Sequence, residues 1–239
     1  MRDRLIGATI LALGLVASSV IFGQFFYRSR LPVKTIKVTG AATRRISADI
    51  VKWRLTMVRN VGVNDLKTGY TQIKNDLASL TDLLRAEGLS EDALSIQPIQ
   101  TNPVFGQYEK AGTTVGYQVM QSVFVVSRDL KKVEGLALNP SALVERGIVL
   151  QNSQLEYYPS QLSEIKRALL AEATKDAEKR AAEIARSTGD RLDKIDSARV
   201  GVFQITEPYS TEVSDYGIYN TQTRDKDITV TVNVSFMLK

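Results

Sequence analysis

Only carboxylates, hydroxyls, amides and basic side chains are available for chemistry, because the sequence holds no cysteine and no histidine. This excludes disulfides, histidine-dependent triads and the usual nitrogen and sulfur ligands of zinc, copper and haem. Two carboxylate pairs could share acid–base work: Glu91 with Asp92, and Asp225 with Asp227 on either side of Lys226. The first pair follows a predicted helix end and the second begins a predicted strand, so turn roles are simpler. We therefore predict no catalytic residue, no metal site, no cofactor and no enzymatic activity.

Five aromatic residues stand in polar segments instead of on apolar stripes: Phe105, Tyr108, Tyr209, Tyr216 and Tyr219. Exposed tyrosines suit contact surfaces because they offer a large contact area at a low cost in conformational entropy. The alternative is that these side chains cover the ends of the core. We predict them as candidate contacts with a partner or with further copies of the chain.

The N-terminal residues predict a membrane anchor. Leu5–Tyr27 carries no charge and, at about 1.5 Å a residue, is long enough to cross a hydrocarbon layer roughly 30 Å thick. Phe25, Phe26 and Tyr27 end the segment with aromatic side chains that favour the interface. We predict an anchor over residues 1–30 that binds the membrane through residues 5–27. The alternative is a signal peptide cleaved near Ala17–Ser19, which would release a periplasmic form.

The net charge of +5 is concentrated near the N-terminus. Four arginines and one aspartate give residues 1–30 a charge of +3, which leaves +2 for residues 31–239. No cluster of basic residues is interleaved with aromatic residues, so we expect no nucleic-acid partner. Basic residues stand on both sides of the apolar segment, and a simple count by the positive-inside rule favours a cytoplasmic domain.

The rest of the chain alternates predicted strands and helices. The clearest helix is Ser160–Gly189, which has an alanine-rich apolar face that includes Ile184, a serine N-cap and a final glycine. A second helix is predicted over Asn64–Gly88, and Pro140 splits a third helical stretch, Asp129–Gly147, into two short pieces. Strands are predicted at residues 34–38, 51–57, 94–96, 117–126, 148–158, 194–205 and 228–238, with an aromatic loop over 102–112 and a second over 207–225.

The two halves of this region share one order of elements. Residues 46–126 and 148–238 each read as a strand, a glycine-terminated helix, a strand, an aromatic loop and a strand. We therefore predict an α+β fold of two βαββ-like units, internally duplicated, with helices packed on antiparallel or mixed sheet and one transmembrane helix in front. The two aromatic loops would then lie at the same end of the sheets.

Several stretches in a fixed order resemble the SIMPL-domain family. They are IKVTG at 36–40, SADIVKW at 47–53, the helix at 64–88, GYQVMQSVFVV at 116–126, DLKKV at 129–133, RGI at 146–148, ALLAEATKDAEKRAAEIARSTG at 168–189 and the strand at 230–236. The resemblance covers roughly residues 33–239, so we assign residues 31–239 to a SIMPL-like domain. Two positions depart from the family: Ala48 stands where many relatives carry proline, and Gln151–Gln154 fits poorly to a regular apolar strand.

The resemblance implies a bacterial periplasmic or cell-envelope protein without established catalytic residues. Some relatives are linked to defence against oxidative stress, and some assemble into ring-like or barrel-like oligomers. Because bacterial relatives enter the export pathway through an apolar N-terminal segment, we expect a single-pass inner-membrane protein with its domain in the periplasm.

We accordingly expect a homo-oligomeric scaffold with an envelope or oxidative-stress role. One alternative is a small-ligand or metal-binding protein, or an enzyme, with a cleft lined by carboxylates and tyrosines. A further alternative is an oligomeric conduit or pore.

Overall fold

A computed structural model describes residues 2–29, 34–106 and 112–239. The chain divides into two compact units. We call them the terminal unit (1–40, 174–200 and 232–239) and the central unit (41–173 and 201–231).

The structure has the α+β class that the sequence predicts. Its elements, in chain order, are α1 (Arg2–Ser29), β1 (Thr35–Ser47), β2 (Ile50–Gly62), α2 (Leu66–Ala86), a 3₁₀ turn (Glu91–Ala93), β3 (Leu94–Ile96), β4 (Gln100–Phe105), β5 (Thr114–Ser127), α3 (Leu130–Leu138), α4 (Ser141–Glu145), β6 (Leu150–Tyr158), α5 (Leu162–Ser187), β7 (Leu192–Val200), β8 (Gln204–Thr206), β9 (Ile218–Tyr219) and β10 (Asp225–Leu238).

One five-stranded sheet, which we call the β2 sheet, lies within the central unit. Its order is β3-β5-β2-β6, and β4 also pairs with β5. All these pairs are antiparallel. β2 pairs with β5 from Val51 opposite Ser127 to Gly62 opposite Gly116, and with β6 from Ile50 opposite Tyr158 to Met57 opposite Leu150. β2 is therefore an inner strand, and β6 lies at one edge of the sheet.

One face of β2 forms the centre of the main core. Trp53, Leu55 and Met57 alternate along the strand and are fully buried, in a cluster with Ile73 and Leu80 of α2. The indole N–H of Trp53 donates a hydrogen bond to Ser153 Oγ, with 2.9 Å between Nε1 and Oγ. Burial of each large apolar side chain stabilises the fold by about 1.5–3 kcal/mol, so this alternation secures the register of β2.

The second sheet, the β10 sheet, has the order β1-β10-β8-β9, and β7 also pairs with β10. β10 runs antiparallel to β7 and to β8, whereas β8 and β9 are parallel. Along β10 the apolar positions alternate with polar ones, as the sequence predicts, and they are buried at Ile228, Val230, Val232, Val234 and Phe236.

Helix α5 buries a stripe of small side chains. Leu169 is followed at steps of four by Ala173, Ala177, Ala181 and Ala185, and all of them are at most 1% exposed. The placement of Ile184 on this stripe is wrong: Ile184 is 47% exposed, and Ala185 takes its place because the steps of four continue. Gly189 has a φ of +80°, which confirms the left-handed residue expected after the helix.

Several predicted boundaries change. β1 does not end at Gly40 but continues to Ser47, and the predicted loop at 102–112 begins as strand, because β4 extends to Phe105. The division around Pro140 is confirmed, since α3 ends at Leu138 and α4 begins at Ser141. α5 begins at Leu162, and the hydroxyl of Ser160 instead donates to Asp49 Oδ2.

The two predicted βαββ units do not form separate sheets. β6, the first strand of the second predicted unit, pairs with β2 in the sheet of the first unit, while β1 pairs with β10. The internal duplication stays a prediction. Within the described part of the chain, no helix meets both the length and the hydropathy that a membrane span requires. The transmembrane helix at the N-terminus likewise stays a prediction.

Enlarging the alanine stripe of α5 tests its packing. Ala181→Leu is expected to lower the free energy of unfolding by about 1–3 kcal/mol, because the added atoms must fit where Ala181 is fully buried. Ala171→Leu is the matched control, since Ala171 lies on the exposed side of the same helix. Chemical denaturation measures both variants. Equal stabilities would contradict a packed alanine stripe.

Candidate functional site

The predicted aromatic contacts are exposed wherever the structure describes them. Phe105 is the last residue of β4, Tyr209 and Tyr216 lie in the 207–224 loop, and Tyr219 ends the short strand β9. Tyr216 is 98% exposed and the other three are also exposed. Tyr108 lies outside the described residues. No aromatic cleft is formed by these four side chains, and they present contact area to solvent.

The two aromatic loops lie at opposite ends of the β2 sheet, so the prediction that they share one end is wrong. Phe105 pairs with Thr114 of β5, next to the end where Gly62 closes β2. The ring of Tyr219 lies 6.4 Å from that of Tyr158, which pairs with Ile50 at the start of β2. The length of β2, about 40 Å for 13 residues, separates these positions.

A buried lysine organises the 207–224 loop. Lys226 is fully buried, and its Nζ donates to the carbonyl oxygens of Asn220 and Thr223, each at 2.6 Å. The side chain of Asn220 also links two parts of the loop. Its amide N–H donates to Glu207, and its oxygen accepts from the backbone N–H of Gln222. The loop that carries the tyrosines is thus closed on itself by polar contacts.

Burial lowers the pKa of Lys226 to about 8, while the nearby Glu207 carboxylate opposes the shift. The carboxylates on either side of Lys226 favour a turn, and this interpretation does not predict the burial of the lysine side chain. A signal was present: Lys226 stands two residues before Ile228, on the same side of β10 as the buried apolar row.

The position of Tyr209 is held by an ion pair. Asp227 accepts two hydrogen bonds from Arg45 at 2.8 Å, and the Arg45 guanidinium carbon lies 4.4 Å from the centre of the Tyr209 ring. The hydrogen bond from Arg45 lowers the pKa of Asp227. Tyr209 also has a φ of 66°, rare for a residue with a side chain. Asp227 therefore serves to position the loop.

A second group of polar and aromatic side chains is joined to Tyr219 through the ring of Tyr158. The hydroxyl of Tyr158 donates to Glu156 at 2.9 Å, and Arg54 pairs with the same carboxylate at 2.9 Å. Burial and the bond to Glu156 raise the pKa of Tyr158 to about 12, so its hydroxyl stays protonated. The Arg54 guanidinium also lies over the Phe124 ring. This arrangement makes a rigid, mixed surface suited to contact.

An apolar groove of about 490 Å³ lies between the α3–α4 segment and β6, and we call it the β6 groove. Leu143 and Ile148 form its buried floor. Val144 and Val149 line it and are 67% and 50% exposed. The polar run Gln151–Gln154 was the sequence signal for this surface, because it lies on the edge strand and not inside the sheet.

The carboxylates do not gather into a site in the described part of the chain. Glu91 is the first residue of the 3₁₀ turn and pairs with Arg85. Among the residues whose placement is described, no group of three or more acidic side chains could hold a metal ion.

A sequence model of the SIMPL family, described as a protein of unknown function, matches residues 36–236. The match begins in β1 and ends in β10, so it includes both sheets. The chain belongs to the SIMPL family. The SIMPL domain therefore contains the buried lysine, the aromatic loops and the β6 groove. No curated protein matches the sequence.

The buried lysine predicts an unusual alkaline stability profile for this SIMPL domain. The pKa of Lys226 is about 8 in the fold and 10.5 when unperturbed, so between these values the unfolded chain binds more protons. The free energy of unfolding therefore increases as the pH rises through this range, because the folded protein loses the Lys226 proton first. From pH 8 to 9.5, the free energy of unfolding should rise by about 1–2 kcal/mol relative to Lys226→Met.

Denaturation at several pH values measures this difference. Lys131→Met provides the control, since Lys131 is exposed and should leave the pH dependence unchanged. Parallel profiles for the parent and Lys226→Met would contradict a lowered pKa.

Proposed function

We propose that the chain is a non-enzymatic, membrane-anchored SIMPL-domain protein that assembles with further copies of itself and acts as a scaffold in the bacterial envelope. The observation that carries this proposal is the open edge of β6 beside the exposed apolar groove. Edge strands present unpaired backbone groups, and natural proteins usually protect them or use them for pairing.

The geometry of β6 supports pairing with an added strand. The N–H of Tyr157 points away from β2, and the 207–224 loop already occupies it, because it donates to the carbonyl of Thr221 at 2.7 Å. Because alternate residues of an antiparallel strand point their backbone groups to the same side, Ser153 and Leu155 also direct theirs outward. In the described ranges of the chain, no strand pairs with this outer edge.

The β6 groove supplies the apolar contacts that strand addition requires. Val144 and Val149 line this groove with exposed side chains. An extended segment of a second copy along β6 would bury these side chains while its backbone pairs with the strand. Tyr219 contacts Tyr158 at the end of the same strand, so its ring would extend the contact. Phe105, at the other end of the β2 sheet, would serve a separate contact.

The membrane anchor and the periplasmic location are part of this proposal. The uncharged segment at residues 5–27 supports the anchor. Membership in the SIMPL family supports export, because the resemblance implies that its bacterial members enter the export pathway through an apolar N-terminal segment. A scaffold held at the membrane surface suits an envelope role, including one in oxidative stress.

Assembly through β6 predicts a concentration-dependent mass. Residues 31–239 should sediment as an oligomer at micromolar concentration, and Val144→Glu and Val149→Glu should each shift the equilibrium towards the monomer, because a buried unpaired carboxylate opposes association. Val63→Glu is the control, since Val63 is also a half-exposed valine but follows the far end of β2. Analytical ultracentrifugation measures the mass. A monomer at every concentration would contradict assembly.

The orientation has its own test. Alkaline phosphatase fused after Lys239 should be active in a bacterial host, because that enzyme requires the oxidising periplasm. A fusion that also lacks residues 5–27 should be inactive. Activity of a cytoplasmic reporter at the same position would instead place the domain in the cytoplasm.

A further inference from the structure

A polar trench of about 550 Å³ crosses the outer face of the β10 sheet within the terminal unit. Its polar side chains come from three neighbouring strands: Lys37 and Thr39 of β1, Asn233 and Ser235 of β10, and Ser197 and Arg199 of β7. We call it the sheet trench. None of its lining residues carries a carboxylate.

The strand register places these side chains in two rows. Asn233 lies opposite Arg199, and Ser235 lies opposite Ser197. On the other side, Thr39 Oγ1 donates to Asn233 Oδ1 at 2.6 Å. The backbone bond from Leu238 N–H to the carbonyl of Lys34 and the Thr39–Asn233 bond together show that β1 and β10 run antiparallel, so Lys37 lies level with Ser235. The two cations therefore face the centre of the trench from its opposite sides.

The free groups of the trench are mainly hydrogen-bond donors. The carbonyl oxygen of Asn233 accepts from Thr39, which leaves the amide N–H groups for another partner. Among the described residues, neither Lys37 nor Arg199 has an ion-pair partner. Asp196 occupies the β7 bulge beside Ser197 but does not line the trench. Such a set of donors matches an anion with several oxygens.

Ser235 distinguishes this trench from an ordinary solvated sheet face. The residue is 4% exposed, and its Oγ has no hydrogen-bond partner in the part of the chain that the structure describes. A buried hydroxyl without a partner is destabilising, and native proteins satisfy nearly all such groups. The hydroxyl can therefore form a hydrogen bond with a partner that the described residues do not supply.

We propose that the sheet trench binds a small, soluble phosphate-bearing molecule. Lys37 and Arg199 hold the phosphate between them, and Asn233 and Ser235 donate hydrogen bonds to its oxygens. A phosphate suits these groups better than a carboxylate, because it offers more oxygens and a larger negative charge to two cations. The remaining volume is lined by the hydroxyls of Thr39 and Ser197, which suit a polyol body.

This site differs from the cleft lined by carboxylates and tyrosines that the sequence suggested as an alternative. It contains no aromatic side chain and no acidic one. It also uses no residue of β6 or of the β6 groove.

Calorimetric titration of the full chain in neutral detergent micelles tests the site. The probes are glycerol 3-phosphate, inorganic phosphate and uncharged glycerol, each at constant ionic strength. We expect saturable binding of one glycerol 3-phosphate per chain and no binding of glycerol. Lys37→Gln and Arg199→Gln should each weaken binding about tenfold or more. Lys179→Gln, on the exposed face of α5, is the matched control and should have no effect.

Ser235→Ala provides a second readout. It should weaken binding severalfold while the melting temperature of the ligand-free protein stays the same or rises, because an unpaired hydroxyl is removed. A purely structural serine would instead lower the melting temperature and leave binding unchanged, which would contradict the proposal.

Three other results would overturn the proposed site. The first is no saturation up to about 10 mM glycerol 3-phosphate. The second is an equal loss of binding in Lys179→Gln, which would indicate general charge attraction. The third is binding only to anionic phosphatidylglycerol added to the micelles, which would indicate a lipid surface. Circular dichroism confirms that each variant is folded.

Discussion

Strand β2 is paired on both edges and buried on one face, and the central unit depends on this double constraint. A shift of one residue would turn Trp53 and Leu55 away from α2 and move every hydrogen-bonded pair with β5 and β6. The register of β2 therefore determines which of its side chains fill the core. In the described part of the chain β6 lies at the edge of this sheet and no further strand pairs with its outer side, and the scaffold proposal rests on that edge.

Buried polar contacts hold the surface loops and helices in position, as the apolar core holds the strands. Arg59 donates two hydrogen bonds to the buried Asp76 at 2.7 Å and joins β2 to α2. Lys226 does the same for the 207–224 loop through two carbonyl oxygens. A buried polar or charged group destabilises the fold unless it forms hydrogen bonds. Each such group therefore restricts the nearby backbone to conformations that supply its partners. The exposed tyrosines of the loop are consequently held in place by groups that are themselves hidden.

The two proposed binding surfaces use different parts of a β-sheet: one uses the edge of a sheet and the other uses the face of a sheet. Self-assembly uses an edge, where the backbone of β6 is open to pairing. The sheet trench uses a face, where alternate side chains of three strands project together, with Ser235 at the centre and cations at both sides. One surface offers backbone groups and apolar contacts, and the other offers charge and hydrogen-bond donors. On these two proposals, a SIMPL domain would bind further copies of itself and a small anion through different residues.

Local periodicity was sufficient for much of the fold. The sequence predicts β10 from the alternation between Ile228 and Phe236, and it predicts α5 from apolar residues at steps of four. Both predictions succeed because the spacing of apolar residues within one strand or helix determines which of its faces is buried. Pro140 likewise determined the break between α3 and α4. The family was also determined by the sequence, through the order of its motifs.

Only the tertiary structure decided that β6 joins β2, that the aromatic loops lie at opposite ends, and that Ser235 is buried on the polar side of β10. These features depend on pairs of residues far apart in the chain, and no local repeat specifies which strands meet.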